Sequence, residues 1–195
     1  SNTYFVALSL GFVIPFIFFY ILFFIDSKIH RKEDLLSQNS ITPVIGEIPL
    51  VKNYKLIRGS TDSSVLSEAF RVLRTNVSHL LKEKLPNVKG LGKVIYVTSS
   101  IKGEGKTFTS VNLALSYLAL NKRVLLVGAD FRNPQIHFHV NLSKIDKGLS
   151  SYLNDSTLDY KGLIIDYKFN SLNLEILLSG NIPPSPAELI SNGRF

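Results

Sequence analysis

Cysteine is absent from the chain. No disulfide framework can exist, and a thiolate nucleophile or a zinc site of four thiolates is excluded. Methionine is absent as well, so no initiator is present and the chain reads as a fragment. Acidic residues are in deficit: 22 Lys and Arg stand against 15 Asp and Glu, a net charge of +7. Charge of either sign is missing from Tyr4 to Ile25, where Phe, Ile, Leu and Val dominate. About 22 residues at ~1.5 Å each rise ~33 Å, enough to cross a bilayer's hydrocarbon core. Pro15 interrupts the run, but membrane helices tolerate proline where neighbours satisfy the freed backbone group. A signal peptide fits poorly, because no basic segment precedes the run and no small-residue cleavage site follows it. The uncharged length also argues against a buried core helix.

All of the net charge therefore falls after residue 25. Lys28, His30, Arg31 and Lys32 follow the run directly, and by the positive-inside rule that side is cytoplasmic. Lys52, Lys55 and Arg58 extend the basic segment. Such a stripe beside a membrane span favours anionic lipid head groups over nucleic acid, at about 1 kcal/mol per basic residue near the surface. An ordinary solvated linker is the bland alternative.

The expected organisation has three parts. Residues 4–25 form the transmembrane helix, and residues 26–60 a basic juxtamembrane linker punctuated by Pro43, Gly46 and Pro49. Residues 61–195 form one domain, expected to be incomplete at its C-terminus because the pattern of a new helix begins just before Phe195. Ser63 or Ser64 can cap a helix reaching about Lys84, with Leu66, Phe70, Leu73, Val77, Leu80 and Leu81 at helical spacing. Lys93–Thr98 reads as the first strand, Thr107–Leu120 as a helix ended near Asn121, and Arg123–Gly128 as a strand buried on both faces. Leu149–Leu153 and Tyr160–Asp166 fit short helices, and Leu172–Leu178 a third strand. Strands alternating with helices imply α/β architecture: a parallel sheet flanked by helices, with ligands at the strands' carboxyl ends. Tyr96 and Tyr117, with apolar neighbours, read as packing residues.

Between the first strand and its helix lies Ser100-Ile-Lys-Gly-Glu-Gly-Lys106-Thr107. Strand, glycine-rich turn, Lys-Thr and helix make up a phosphate-binding P-loop. Gly103 and Gly105 allow a tight turn in which successive N–H groups face phosphate oxygens. The new helix adds its positive N-terminal end. Lys102 to Phe108 form the nucleotide cradle, namely Lys102, Gly103, Glu104, Gly105, Lys106, Thr107 and Phe108. Lys106 can reach the β- and γ-phosphates, and the Thr107 hydroxyl can ligate Mg²⁺. A chance glycine turn is the alternative, disfavoured by Lys-Thr at the right offset; Ser100 replaces the usual first glycine. The next strand ends in Val127-Gly128-Ala129-Asp130-Phe131-Arg132-Asn133-Pro134. A carboxylate there could sit beside the Mg²⁺ held by Thr107, as metal ligand or base. A turn aspartate capping the loop before Pro134 is the competing reading.

These features together resemble the bacterial tyrosine kinases of the capsular and exopolysaccharide type, a P-loop autokinase fused to or partnered with a membrane polysaccharide co-polymerase. The membrane helix and Thr42-Pro-Val-Ile-Gly-Glu-Ile-Pro49 look like that family's last membrane helix and linker. Glu68-Ala-Phe-Arg71-Val-Leu-Arg74 resembles its oligomerisation motif, and Ser99–Thr107 its Walker A loop. Gly128–Pro134 resembles the Walker A′ motif; Gly148-Leu-Ser and Gly180-Asn-Ile-Pro-Pro-Ser-Pro-Ala-Glu-Leu189 also recur there. The resemblance implies ATP and Mg²⁺ as cofactors, with Lys106 and Asp130 catalytic and Thr107 and Asp130 on the metal. It also implies a ring-shaped homo-oligomer through Glu68, Arg71 and Arg74 and a link to polysaccharide export machinery; the basic stripe beside the span points to membrane lipid and not to a nucleic-acid partner. The setting would be the inner membrane of a bacterium, with the P-loop domain in the cytoplasm.

Departures from that pattern bear on function. The family's first Walker A′ acid is Gly128 here. Its Walker B strand and tyrosine cluster would fall beyond residue 195, so the fragment alone is expected to be inactive. Two other readings stand beside the kinase. Gly128 favours a non-catalytic nucleotide-binding scaffold, and a partition-type membrane ATPase is disfavoured because Ile101 stands where that branch has lysine. The Glu68-Arg71-Arg74 spacing spreads over about a third of a helix circumference. An intrahelical pair would account for Glu68 and Arg71 and leave Arg74 for an outside partner.

Overall fold

The computed structural model describes residues 2–25, 42–51, 56–59, 62–84, 92–191 and 193–194. The chain divides into two compact units, Ser1–Val44 and Ile45–Phe195. Lys28, His30, Arg31, Lys32, Lys52 and Lys55 lie outside the described residues.

The first unit carries helix α1, Asn2–Ile25, 24 residues long with Pro15 inside it. Its apolar side chains are exposed, and its mean hydropathy of 2.6 over an 18-residue window makes it long and apolar enough to cross a membrane. Ser9 donates its hydroxyl to the Phe5 carbonyl at 2.9 Å. That bond hides the polar group against the helix backbone, as an apolar setting requires.

The second unit is built on α2 (Val65–Lys84) packed against α3 (Lys106–Leu118), which lies on a three-stranded sheet. Ser64 caps α2, its hydroxyl accepting the Ser67 N–H at 3.2 Å. The α2 stripe Leu66, Phe70, Leu73 and Val77 is buried against Phe108, Val111, Leu115 and Leu118 of α3, as the spacing requires. Phe70 meets Phe108 edge-on, ring centroids 5.9 Å apart. Leu80 and Leu81 are half-buried. Asn121, at φ 56°, lies just past the end of α3. Its N–H bonds the Leu118 carbonyl at 2.8 Å. A buried Asn112 on α3 accepts the Ile57 N–H at 2.9 Å and donates to the Phe108 carbonyl at 3.0 Å. Ile57, assigned to the linker by sequence, thus belongs to the core.

The sheet contains β1 (Leu125–Val127), β2 (Ile165–Phe169) and β3 (Leu172–Leu177) in the order β1-β3-β2. β1 runs parallel to β3, with Leu126 opposite Ile176. β2 runs antiparallel to β3, with Tyr167 opposite Leu174. The sheet is therefore mixed rather than wholly parallel. Asn170 in the two-residue β2–β3 turn has φ 53°, so the connection is a hairpin, not a crossover helix. Short elements complete the unit: α4 (Ile136–His139), α5 (Leu149–Asn154), a 3-10 helix at Tyr160–Leu163, and α6 (Pro186–Ile190).

Three expectations need correction. Lys93–Thr98 is extended but joins no ladder among the described residues, and Tyr96 is 80% exposed rather than packed. Its apolar pattern specifies burial, but a strand also needs a neighbour to pair with. β1 is shorter than expected and has one buried residue, Leu126, between exposed Leu125 and Val127, because among the described residues it pairs with β3 alone. The second half of the helix expected at Tyr160–Asp166 is strand, since β3 offers the Ile165 backbone a partner at Ile176.

Candidate functional site

Two segments converge at one end of the second unit. The loop 100–105 enters α3 with Gly103 at φ 96° and Gly105 at φ 89°, left-handed conformations that suit glycine. Nothing lies within 4 Å of a Cβ built at either position, so the loop opens on free space. Gly105 caps α3 without any side-chain acceptor. The N-terminal end of α3, with the positive end of its dipole, is of the kind that suits an anion.

The second segment follows β1. Asp130 turns back on its own loop: Oδ1 accepts the N–H groups of Arg132 at 3.1 Å and Asn133 at 2.9 Å. Its other oxygen, Oδ2, lies 3.0 Å from Lys106 Nζ, with both side chains less than a third exposed. Burial pushes the Asp130 carboxyl up. The Asn133 N–H, the Lys106 ammonium and the Arg132 N–H outweigh it and hold the group below the usual carboxylate range. The loop lysine and the aspartate of the next strand are thus brought into direct contact. The turn contacts and the Lys106 contact coexist, one set on each oxygen.

Thr107, the second residue of α3, carries a hydroxyl and Asp130 a carboxylate, oxygen donors of the kind a hard cation such as Mg²⁺ prefers. Among the described residues no group of three or more His, Asp or Glu gathers. A metal held here would rest on few protein ligands and on the phosphates of its nucleotide.

Gly128 has a structural reason that composition does not reveal. A Cβ at Gly128 would stand 2.9 Å from Ser179 Oγ and 3.1 Å from Ser179 N. The position is closed by a neighbour rather than left vacant. Ser179 is placed there by Gly148 and Gly180, whose backbones approach so closely that a Cβ on Gly148 would lie 2.5 Å from Gly180 N. Leu149 N–H donates to Leu178 O at 2.8 Å and Ser150 N–H to Ser179 O at 2.9 Å, stitching α5 to the end of β3. Gly148-Leu-Ser and the Gly180 loop, far apart in sequence, form one wall.

The α2 motif lies elsewhere on the same unit. Glu68 Oε2 takes Arg71 Nε and Nη2, each at 2.7 Å, the intrahelical pair that the spacing allows. Arg71 also donates to the Asp62 carbonyl at 3.0 Å. Arg74 Nη1 donates to the Ser116 carbonyl near the C-terminus of α3, at 2.6 Å. Sequence spacing offered Arg74 no partner within α2; the partner is on the adjacent helix. Tyr117 of α3 answers it, its hydroxyl 2.9 Å from Ser78 Oγ.

Comparison with known proteins bears on this geometry. No family model matches the chain. Over 129 residues it is 35% identical to the tyrosine-protein kinase YwqD of Bacillus subtilis, covering 66% of this chain and 50% of that protein. It is 34% identical over 128 residues to the tyrosine-protein kinase CpsD of Streptococcus agalactiae, covering 66% and 51%. The chain is a homologue of the bacterial tyrosine-protein kinases. It is also 33% identical to the tyrosine-protein kinase wzc of Salmonella typhi, over 74% of this chain and 19% of that one. The solved chimerical protein CapA2B2 superposes with a TM-score of 0.66 at 34% identity, covering 83% of this chain and 65% of that one. The kinase domain of the Escherichia coli tyrosine kinase ETK superposes at 0.68 and 24% identity, covering 86% and 66%, which speaks to the fold alone. The chain spans about half the length of YwqD and CpsD. The fold is that of a bacterial tyrosine kinase P-loop domain, with a mixed sheet and flanking helices.

Proposed function

We propose that the protein is an ATP-dependent tyrosine autokinase that governs capsular or exopolysaccharide synthesis and export. The observation that carries this reading is the Lys106–Asp130 contact at the mouth of an open glycine loop, at 3.0 Å. ATP with Mg²⁺ supplies the phosphoryl group and the charge that neutralises it. The loop N–H groups and the head of α3 bind the phosphates. Lys106 leaves Asp130 for the β- and γ-phosphate oxygens and stabilises charge on the transferring group. Asp130, so released, has Oδ2 free for the metal or for the proton of an attacking tyrosine hydroxyl. Tyrosines of neighbouring subunits are the acceptors, and α2, with Glu68, Arg71 and Arg74, is the side on which subunits meet. α1 anchors the domain in a bacterial inner membrane with the loop on the cytoplasmic side, where basic residues after the helix favour anionic lipid.

The test is phosphotyrosine formation by the full-length protein with Mg-ATP, read by mass spectrometry, in the parent and in Lys106→Met. Phosphotyrosine in the parent and none in the variant supports the reading. A parent that binds nucleotide but forms no phosphotyrosine turns it to a second reading, a nucleotide-controlled scaffold of a polysaccharide co-polymerase. Gly128 favours that alternative, since Ser179 closes the place of a second carboxylate.

A further inference from the structure

Glu104 lies near the end of the loop, and its carboxylate is bound to the loop's own backbone. One oxygen, Oε2, accepts two backbone N–H groups at the loop's entry, from Ser100 at 2.9 Å and Ile101 at 3.2 Å. Around Gly103 and Gly105, at the head of α3, the loop is open, with nothing within 4 Å of a Cβ built at either position. From these positions we infer that Glu104 is a positioning residue for nucleotide: it ties the loop's entry to its exit and holds the phosphate cradle open before the ligand arrives. The inference rests on reading the loop as the nucleotide phosphate site.

Residues 100–104 are all exposed, so packing does not hold the loop's shape. Two other contacts act on it. Ser99 Oγ donates to the Ile101 carbonyl at 2.9 Å, steadying the entry, and Lys106 is drawn to Asp130, steadying the exit. The Glu104 tie spans Lys102 and Gly103, the stretch between these two anchors. An exposed loop fixed only on binding charges its lost backbone entropy against affinity, whereas a loop fixed beforehand does not. A side-chain oxygen that accepts two backbone N–H groups supplies this tie, whether it belongs to a carboxylate or to an amide. The cost is a negative charge near incoming phosphates, and that cost separates the two functions of the side chain. Gln keeps the accepting oxygen and loses the charge; Ala loses both.

The experiment is calorimetric titration of the full-length protein with Mg-ADP in parent, Glu104→Ala, Glu104→Gln and Lys106→Met. Amide hydrogen exchange without nucleotide is followed over the peptide spanning residues 96–108. Glu104→Ala is expected to bind roughly fivefold or more weakly, the scale of one lost hydrogen-bonded tie. Its loop amides should exchange faster, while Glu104→Gln keeps the parent's exchange and binds as the parent does or more tightly. Exchange over α2 reports that each variant is folded. Glu104→Ala binding as well as the parent, or better, overturns the inference and makes the carboxylate inert or a competitor of phosphate. Glu104→Gln weakened as much as Glu104→Ala also overturns it, by making the charge the cause. Unchanged affinity in Lys106→Met instead overturns the phosphate-loop reading, a separate failure.

Discussion

Gly128→Ala isolates the steric reason for glycine at the end of β1. The new Cβ stands 2.9 Å from Ser179 Oγ, 3.1 Å from Ser179 N and 3.3 Å from Ile136 Cδ1. The hydroxyl can rotate away. The backbone nitrogen cannot easily follow, because the adjacent carbonyl is held by Ser150 N–H at 2.9 Å. Overpacking of this kind costs about 1–3 kcal/mol. Removing glycine's freedom from the unfolded chain returns about 0.4–1 kcal/mol, since Gly128 lies outside the left-handed region. The net expectation is a loss of about 0.5–2 kcal/mol, or a melting temperature lower by roughly 1–8 °C for a domain of this size. Thermal and urea melts measure it. Adding Ser179→Ala removes the 2.9 Å contact and leaves the 3.1 Å one, so it should restore part of the loss. The two substitutions will therefore fail to add in a double-mutant cycle. A Gly128→Ala protein that melts at or above the parent refutes the argument. Gly128→Asp carries the same Cβ, so any gain in phosphotyrosine from a second carboxylate comes with this loss of stability.

Other outcomes are expected from named contacts. Lys106→Met should weaken Mg-ADP binding at least tenfold, ~1.4 kcal/mol, in calorimetric titration. Arg74→Ala removes the 2.6 Å bond to Ser116 O and should destabilise by about 1–2 kcal/mol in urea melts. Arg71→Ala breaks the Glu68 ion pair, worth about 0.2–0.5 kcal/mol, and the bond to the Asp62 carbonyl, so it should cost about 0.7–2 kcal/mol. Sedimentation of the double variant then separates assembly from folding: loss of oligomer with intact helix content supports the interface reading, and a parent-like mass opposes it. Asp130 has its carboxyl held below the ordinary range, so its contribution is present above the unfolded value near ~3.9 and fades as pH falls through the lower folded value. Asp130→Asn should thus be less stable than the parent at pH 7, with the gap closing toward pH 3. A gap of constant size across that range would assign the effect to shape rather than charge.

Local signals were sufficient for much of this protein. The uncharged run became α1, and an apolar stripe at helical spacing became α2 with Ser64 as its cap. Gly103, Gly105 and Lys-Thr marked the loop and the start of α3 to within one residue. Each of these is set by neighbours in the chain: periodicity, capping and left-handed glycines act over a turn or two. What remained belongs to contacts between distant residues. Lys93–Thr98 has a strand's composition but no described partner, and Ile165 took strand geometry because Ile176 faces it. Arg74 looked unpaired until α3 brought the Ser116 carbonyl beside it. Gly128 read as a missing carboxylate until the Gly148–Gly180 approach placed Ser179 against it. Asp130 was a candidate by position alone; only the packing of β1 beside the head of α3 set its oxygen 3.0 Å from Lys106. The sequence alone determined which segments are long helix and glycine-rich loop, because those depend on local backbone preference. Strand pairing and the partners of Arg74, Gly128 and Asp130 were decided by tertiary structure, because hydrogen bonds and steric closure between distant residues exist only once the chain has packed.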